Sequence, residues 1–289
     1  MLIKNHLSLL KPGIIVGNLV STSAGVFLAA KSSCTDLKLV VYSFIGVAFV
    51  VASGCVINNI YDSDIDKKMT RTKNRPMAMK QVSVAHALVY ALVLLLLGTM
   101  VLYSGVNRLT VALVLLGYIS YVFLYTMWYK RTSPYGTLIG SISGAVPPLA
   151  GYSSVSNHVN LEAILLSLLF CVWQMPHSYA IAIFRMQDYS KASVPVLPIV
   201  SGTDKARCHM MGYVALFDIL ALALYICGNA GDGYFLVATM VCLMWTHVTF
   251  KTMTEENMED WSRSVFRVSL LVVTSISAAL GIELIHFPV

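Results

Sequence analysis

Apolar residues in this chain come in long, nearly unbroken runs, without the alternation of a half-buried strand or the stripe of a surface helix. Nine runs stand out, at about residues 12–31, 39–59, 84–104, 109–128, 135–153, 161–184, 209–228, 233–251 and 264–285. Each is close to the ~20 residues that an α-helix needs to cross the hydrocarbon core. The pattern therefore predicts an all-α, multi-pass integral membrane protein with nine transmembrane helices. The fifth run carries Gly140, Gly144, Pro147 and Pro148. Proline removes a helical hydrogen bond and crowds the preceding turn, so this span should bend or break near mid-membrane. Broken spans are tolerated where they line a cavity, which makes this run a candidate chamber wall. No sharp linker interrupts the runs, and residues 1–289 are expected to form a single domain.

Composition supports the membrane reading. Of 289 residues, 57% are hydrophobic and 12% are charged, with a mean hydropathy of +0.73. Soluble domains carry about twice that charged fraction. The net charge of +6 does not point to nucleic acid, because the cations fall in short segments between spans. Those segments set the orientation. With the N-terminus inside, only Lys31, Lys38 and Arg108 of the 20 lysines and arginines fall on outer segments. The N-terminus and the charged loops are thus expected on the cytoplasmic side, with the C-terminus opposite. No cleavable signal or Arg/Ser-rich leader is evident, which favours a bacterial inner membrane over a mitochondrial one. Cys34, Cys55, Cys171, Cys208, Cys227 and Cys242 form no CxxC pair; most lie in or at the ends of apolar runs and so read as small buried hydrophobes.

Polar chemistry concentrates in two places. The first, NNIYDSDIDKKMTRTKNRP at 58–76, follows the second span. Asn58, Asp62 and Asp66 are spaced by four, so in a continuing helix each step turns about 400° and rises about 6 Å, placing all three along one face. Asp62, Asp64 and Asp66 repel one another without a counter-ion. Oxygens arrayed in this way suit a hard cation such as Mg²⁺. Lys67, Lys68, Arg71, Lys73, Arg75 and Lys80 follow closely and suit a phosphate. A solvated loop would also account for a charge run, but a metal–diphosphate site better explains three aspartates packed so tightly. Lys130 and Arg131, after the fourth span, emerge on the same side, and either positive-inside placement or diphosphate binding accounts for them.

The second place is WQMPHSYAIAIFRMQDYSKASVPVLP at 173–198. Gln174 and His177 are polar groups within a span, where such residues face the protein interior. His177 suits a satisfied core histidine, a proton carrier or an axial ligand to haem iron. Arg185, Asp188, Tyr189 and Lys191 then repeat the acid–base mixture more thinly. Asp188 could hold a second metal ion or pair with Arg185 or Lys191.

NxxxDxxxD at 58–66 with RTKNRP at 71–76 resembles the first signature of the UbiA-type intramembrane prenyltransferases. WQMPHSYAIAIFRMQDY with PVLP, YTMWYKRTSP at 125–134 and KPG with GNLVS at 11–21 resemble the haem-farnesylating branch of that family, over nearly the whole chain. The family's usual second motif has paired acids, whereas only Asp188 stands here. The resemblance implies nine helices around a central cavity open sideways to membrane lipid, with farnesyl diphosphate and haem b as substrates and Mg²⁺ as cofactor. It implies metal binding by Asp62 and Asp66, assisted by Asn58, with Asp188 at a second acidic site. Diphosphate would lie against Lys68, Arg71, Arg75, Lys130 and Arg131, and haem against His177, with Trp173 and Gln174 beside it. A haem-receiving protein downstream is a further expected partner. A quinone-precursor prenyltransferase and a transporter with an intramembrane ion site are the competing readings.

Overall fold

The computed structural model describes residues 2–31, 35–228 and 230–286, with side chains from residue 5 to residue 282. Cys34 and the side chain of Lys4 lie outside the described residues. The order is α1 (Leu2–Leu9), α2 (Pro12–Ala30), α3 (Leu37–Tyr61), α4 (Ser63–Lys68), α5 (Val84–Gly105) and α6 (Arg108–Ile119). A π-helix (Ser120–Tyr129) continues α6 into the single turn α7 (Lys130–Thr132). Then come α8 (Gly136–Gly144), α9 (Val146–Ser156), α10 (Leu161–Phe184), α11 (Met186–Lys191), α12 (Leu197–Ser201), α13 (Thr203–Ile226), α14 (Asp232–Phe250) and α15 (Met258–His286).

Eight helices among the described residues are long and apolar enough to cross a membrane. The ninth expected span is the fifth apolar run, which forms the broken pair α8 and α9. The break falls at Ala145, just ahead of Pro147 and Pro148. Ser167 Oγ donates to the Ala145 carbonyl at 2.7 Å and satisfies the backbone there. Several spans start on side-chain caps that the sequence supplies. Asp36, Ser83, Asn107 and Asn160 each accept from a backbone N–H two or three residues on.

Helix α2 crosses α9 with almost no separation. A Cβ on Gly25 would lie 1.9 Å from the Pro148 carbonyl oxygen, and one on Gly151 would lie 2.0 Å from that of Thr22. Small residues allow this backbone approach in membranes, where close packing stands in for the hydrophobic effect. The largest buried cluster joins α10 to α13, α14 and α15, with Trp245, Tyr179, Phe170 and Phe217 at its heart. A smaller cluster packs α3 against α5. Between these two bodies lies a cavity.

Candidate active site

Helix α3 ends at Tyr61, yet its hydrogen-bond ladder carries on. The Asp62 amide donates to the Asn58 carbonyl at 2.9 Å, and the Asp66 amide to the Asp62 carbonyl at 2.8 Å. Bonds between residues four apart thus run through the break at Asp62, and Asn58, Asp62 and Asp66 are all buried. Buried carboxylates are costly unless paired. Both Asp66 oxygens meet Arg75 Nη1, at 3.0 and 2.9 Å, and Asp62 pairs with Lys130. Asn58 donates to Thr126 Oγ1 at 3.2 Å and accepts from Lys11. Burial, together with repulsion from Arg75, lowers the Lys11 ammonium to a pKa of about 8. Asp64 points outward and accepts from Arg131 at 2.7 and 3.0 Å; those bonds hold its carboxyl down at about 2.

The cavity has a volume of about 770 Å³. Lys11, Asn58, Asp66, Arg71, Arg75 and Lys130 line one end. Tyr118, Tyr121 and Tyr125 form one wall, and Trp173, Gln174 and His177 of α10 form another. The cavity reaches the protein surface at Ile14 and Val16 on α2, which are 42% and 60% exposed. The π-helix decides which residue of the Lys130–Arg131 pair enters. Its wider turn carries the Lys130 amide onto the Tyr125 carbonyl, five residues back. Lys130 lies along the cavity, 5.9 Å above the Tyr125 ring. Arg131 is turned away, onto Asp64, the Tyr61 carbonyl and the Tyr61 ring.

On the opposite wall the His177 ring is stacked on Trp173 at 4.7 Å and lies 4.9 Å from the Phe266 ring. Ser269 of α15 meets both residues from α10: Trp173 Nε1 donates to its carbonyl, and its hydroxyl lies 2.8 Å from His177 Nδ1. Gln174 crosses the broken span at Gly144, where a Cβ would fall 1.5 Å from Gln174 Nε2. Gly144 thus leaves the space that Gln174 fills.

Part of the expected site lies away from the cavity. Asp62, Lys68, Arg131, Arg185, Lys191 and Asp188 do not line the cavity; Asp62 is buried beside it, against Lys130. Lys68 and Lys191 are exposed, and Arg185 lies over the Phe184 ring at 5.5 Å. Asp188 accepts from the Thr70 amide at 2.8 Å. Burial opposes its charge but is outweighed by hydrogen bonds from Thr70 and the Arg71 amide, and its pKa is lowered. Ile65 and Met69 of the first charged stretch pack on Ala192 and Val194 of the second. The second acidic residue is thus spent on the backbone of the first loop, and of its neighbours only Tyr189 reaches the cavity. Lys11, Tyr118, Tyr121 and Ser269 escaped the sequence reading of the site. Lys11 reads as a span entry beside Pro12, and no local spacing marks the others.

The donor set can be tested against Mg²⁺. Asp62 Oδ1 is buried and has no hydrogen-bond partner, with Arg131 Nη2 at 3.8 Å. The second Asp62 oxygen, both Asp66 oxygens and the Asn58 amide oxygen are likewise hard donors. No group of three or more His, Cys, Asp and Glu gathers among the described residues. A Mg²⁺ ion commonly uses one or two carboxylates and takes its other ligands from phosphate and water, so the residues fit it.

These features define an intramembrane prenyltransferase class. The model of the UbiA prenyltransferase family matches residues 18–271, and the chain belongs to that family. A relative from Vibrio parahaemolyticus, protoheme IX farnesyltransferase 2, is 58% identical over 98% of this chain and 99% of its own. The protoheme IX farnesyltransferase of Aliivibrio salmonicida is 55% identical over 99% of both chains. Among solved structures, a digeranylgeranylglyceryl phosphate synthase superposes with a TM-score of 0.80 at 20% identity over 99% of both chains. A UbiA homologue from Archaeoglobus fulgidus bound to GPP and Mg²⁺ gives 0.68 at 18% identity, over 96% of this chain and 99% of that one. At such identities the two structures establish the fold.

Proposed function

We propose that this protein transfers the farnesyl group of farnesyl diphosphate to a vinyl group of haem b, with addition of water, giving haem O and diphosphate. The observation that carries this reading is one cavity that joins the cationic end to the Trp173, Gln174 and His177 wall. Its size lies within the usual range for ligand pockets. The relatives' shared name supplies the particular substrates.

In this reading Lys11, Arg71, Arg75 and Lys130 bind the diphosphate, and Lys11, Arg75 and Lys130 exchange their present partners for its oxygens. Asp62 and Asp66, with Asn58, would hold Mg²⁺, which when bound supplies neutralising charge to the leaving group. As the allylic C–O bond breaks, its electron pair leaves with the diphosphate, and the cations stabilise the developing charge. The Tyr121 and Tyr125 rings lie where a cation on the farnesyl chain gains from their faces. The haem vinyl group attacks that carbon, and the new cation beside the porphyrin ring is captured by water, which gives up a proton. The apolar walls keep water from the first cation. Asp188 acts through the loop that carries Arg71 and Arg75. We place the active end at the inner face of a bacterial inner membrane and expect a haem-receiving protein to take up the product.

The test is a product assay with purified protein, farnesyl diphosphate, haem b and Mg²⁺, read by mass spectrometry. The expected product has the mass of haem b plus one farnesyl group and one water less a proton, and chelation of Mg²⁺ abolishes it. Prenylation of an aromatic acid with no haem product would overturn the acceptor assignment and leave the family intact.

A further inference from the structure

His177 has two ring nitrogens, and which of them carries the proton decides what it can bind. Ser269 Oγ lies 2.6 Å from the Phe266 carbonyl and 2.8 Å from His177 Nδ1. A serine hydroxyl has one hydrogen, and a carbonyl can only accept. The hydroxyl hydrogen is therefore committed to Phe266. Ser269 is fully buried, so no surface water offers it another partner. Towards His177 the hydroxyl oxygen can only accept, and Nδ1 must be the donor. In the neutral ring this leaves a lone pair on Nε2. Trp173 and Phe266 both pack against the ring, and Trp173 is tied in turn to the Ser269 carbonyl at 2.8 Å. One residue of α15 thus sets both the protonation pattern of His177 and the position of the ring stacked on it.

We infer that Ser269 is a positioning residue that fixes His177 in its Nδ1–H form, so that Nε2 serves as an axial ligand to the haem iron. A nitrogen with a lone pair and no hydrogen cannot donate to a haem propionate, which removes the carboxylate-binding role for His177. Iron takes neutral imidazole, and a ligating histidine generally donates its other N–H to a fixed acceptor. Here that acceptor is a serine hydroxyl whose own hydrogen is already engaged. The inference rests on haem being the acceptor substrate.

The test titrates purified protein with haem b in the absence of farnesyl diphosphate, so that no turnover occurs, and follows the visible and electron paramagnetic resonance spectra. The wild type should show histidine ligation. His177→Ala should lose it, and added imidazole should restore it. Ser269→Ala should bind haem about tenfold more weakly with an altered ligand signature, whereas Ser269→Thr, which keeps the hydroxyl, should restore both. Farnesyl diphosphate affinity unchanged in Ser269→Ala would exclude a general folding defect as the cause. A Ser269→Ala spectrum and affinity identical to wild type would overturn the positioning role. A wild-type spectrum in His177→Ala, with farnesylated haem still formed in the product assay, would overturn iron ligation and leave the proposed reaction standing. No haem binding by the wild type would overturn the proposed reaction itself.

Discussion

Asp66 and Asp188 invite comparison. Each follows a long spanning helix by a few residues, each is buried, and each has basic residues close by in sequence. Asp66 faces the cavity and is neutralised by a guanidinium from its own loop. Asp188 does not line the cavity and accepts from the Thr70 amide of that same loop, across 118 positions of sequence. The first carboxylate can change partners when an anion and a cation enter. The second is an anchor whose partners are fixed main chain. Similar composition at two helix ends thus conceals two settings, one carboxylate lining the cavity and the other bound to the backbone of the first loop.

The comparison can be broken most directly by removing charge without changing shape. Asp62→Asn is expected to lower kcat/KM by about 10³-fold, roughly 4 kcal/mol of transition-state stabilisation, in the haem product assay. Asp188→Asn keeps an oxygen acceptor for Thr70 and should stay within about threefold of wild type. Asp188→Ala loses the acceptor, and the loop bearing Arg71 and Arg75 shifts. KM for farnesyl diphosphate is expected to rise about tenfold, with the Mg²⁺ requirement unchanged. An equal loss of Mg²⁺ affinity in Asp188→Asn and Asp188→Ala would make Asp188 a metal ligand and erase the contrast. The smallest effect belongs to Asp64, which is exposed and paired with Arg131. Asp64→Asn should lower stability by under about 1 kcal/mol, seen as a small fall in Tm. Because its folded pKa lies below the unfolded value, the contribution is present above about pH 4 and is lost as pH falls through about 2.

The sequence revealed what local spacing controls. The apolar runs marked the spans, Pro147 and Pro148 marked the broken one, and the four-residue spacing of Asn58, Asp62 and Asp66 matches the backbone bonds that join them. What stayed hidden depends on contacts between distant segments or on small changes of helical phase. Lys130 and Arg131 are adjacent and alike, and only the π-helix before them turns one into the cavity and the other onto Asp64. The partner of Asp188 sits at the far side of a packed interface, so its carboxylate resembled a second ligand set. Lys11 reads as a span entry because the residue it reaches, Asn58, lies 47 positions away.

The cavity's opening at Ile14 and Val16 has a kinetic consequence. These exposed apolar residues stand in the first turns of a spanning helix, so the passage meets the acyl region of the bilayer. Both proposed substrates are amphiphiles that dissolve in that phase. Enzyme saturation is then governed by substrate mole fraction within the lipid or micelle, and nominal aqueous concentration becomes a poor variable. Extra detergent at constant substrate dilutes the two-dimensional supply and mimics a weaker enzyme. Farnesylation adds further hydrocarbon, at about 0.8 kcal/mol per buried CH₂, so the product partitions still more strongly into the sheet of lipid from which its precursors came.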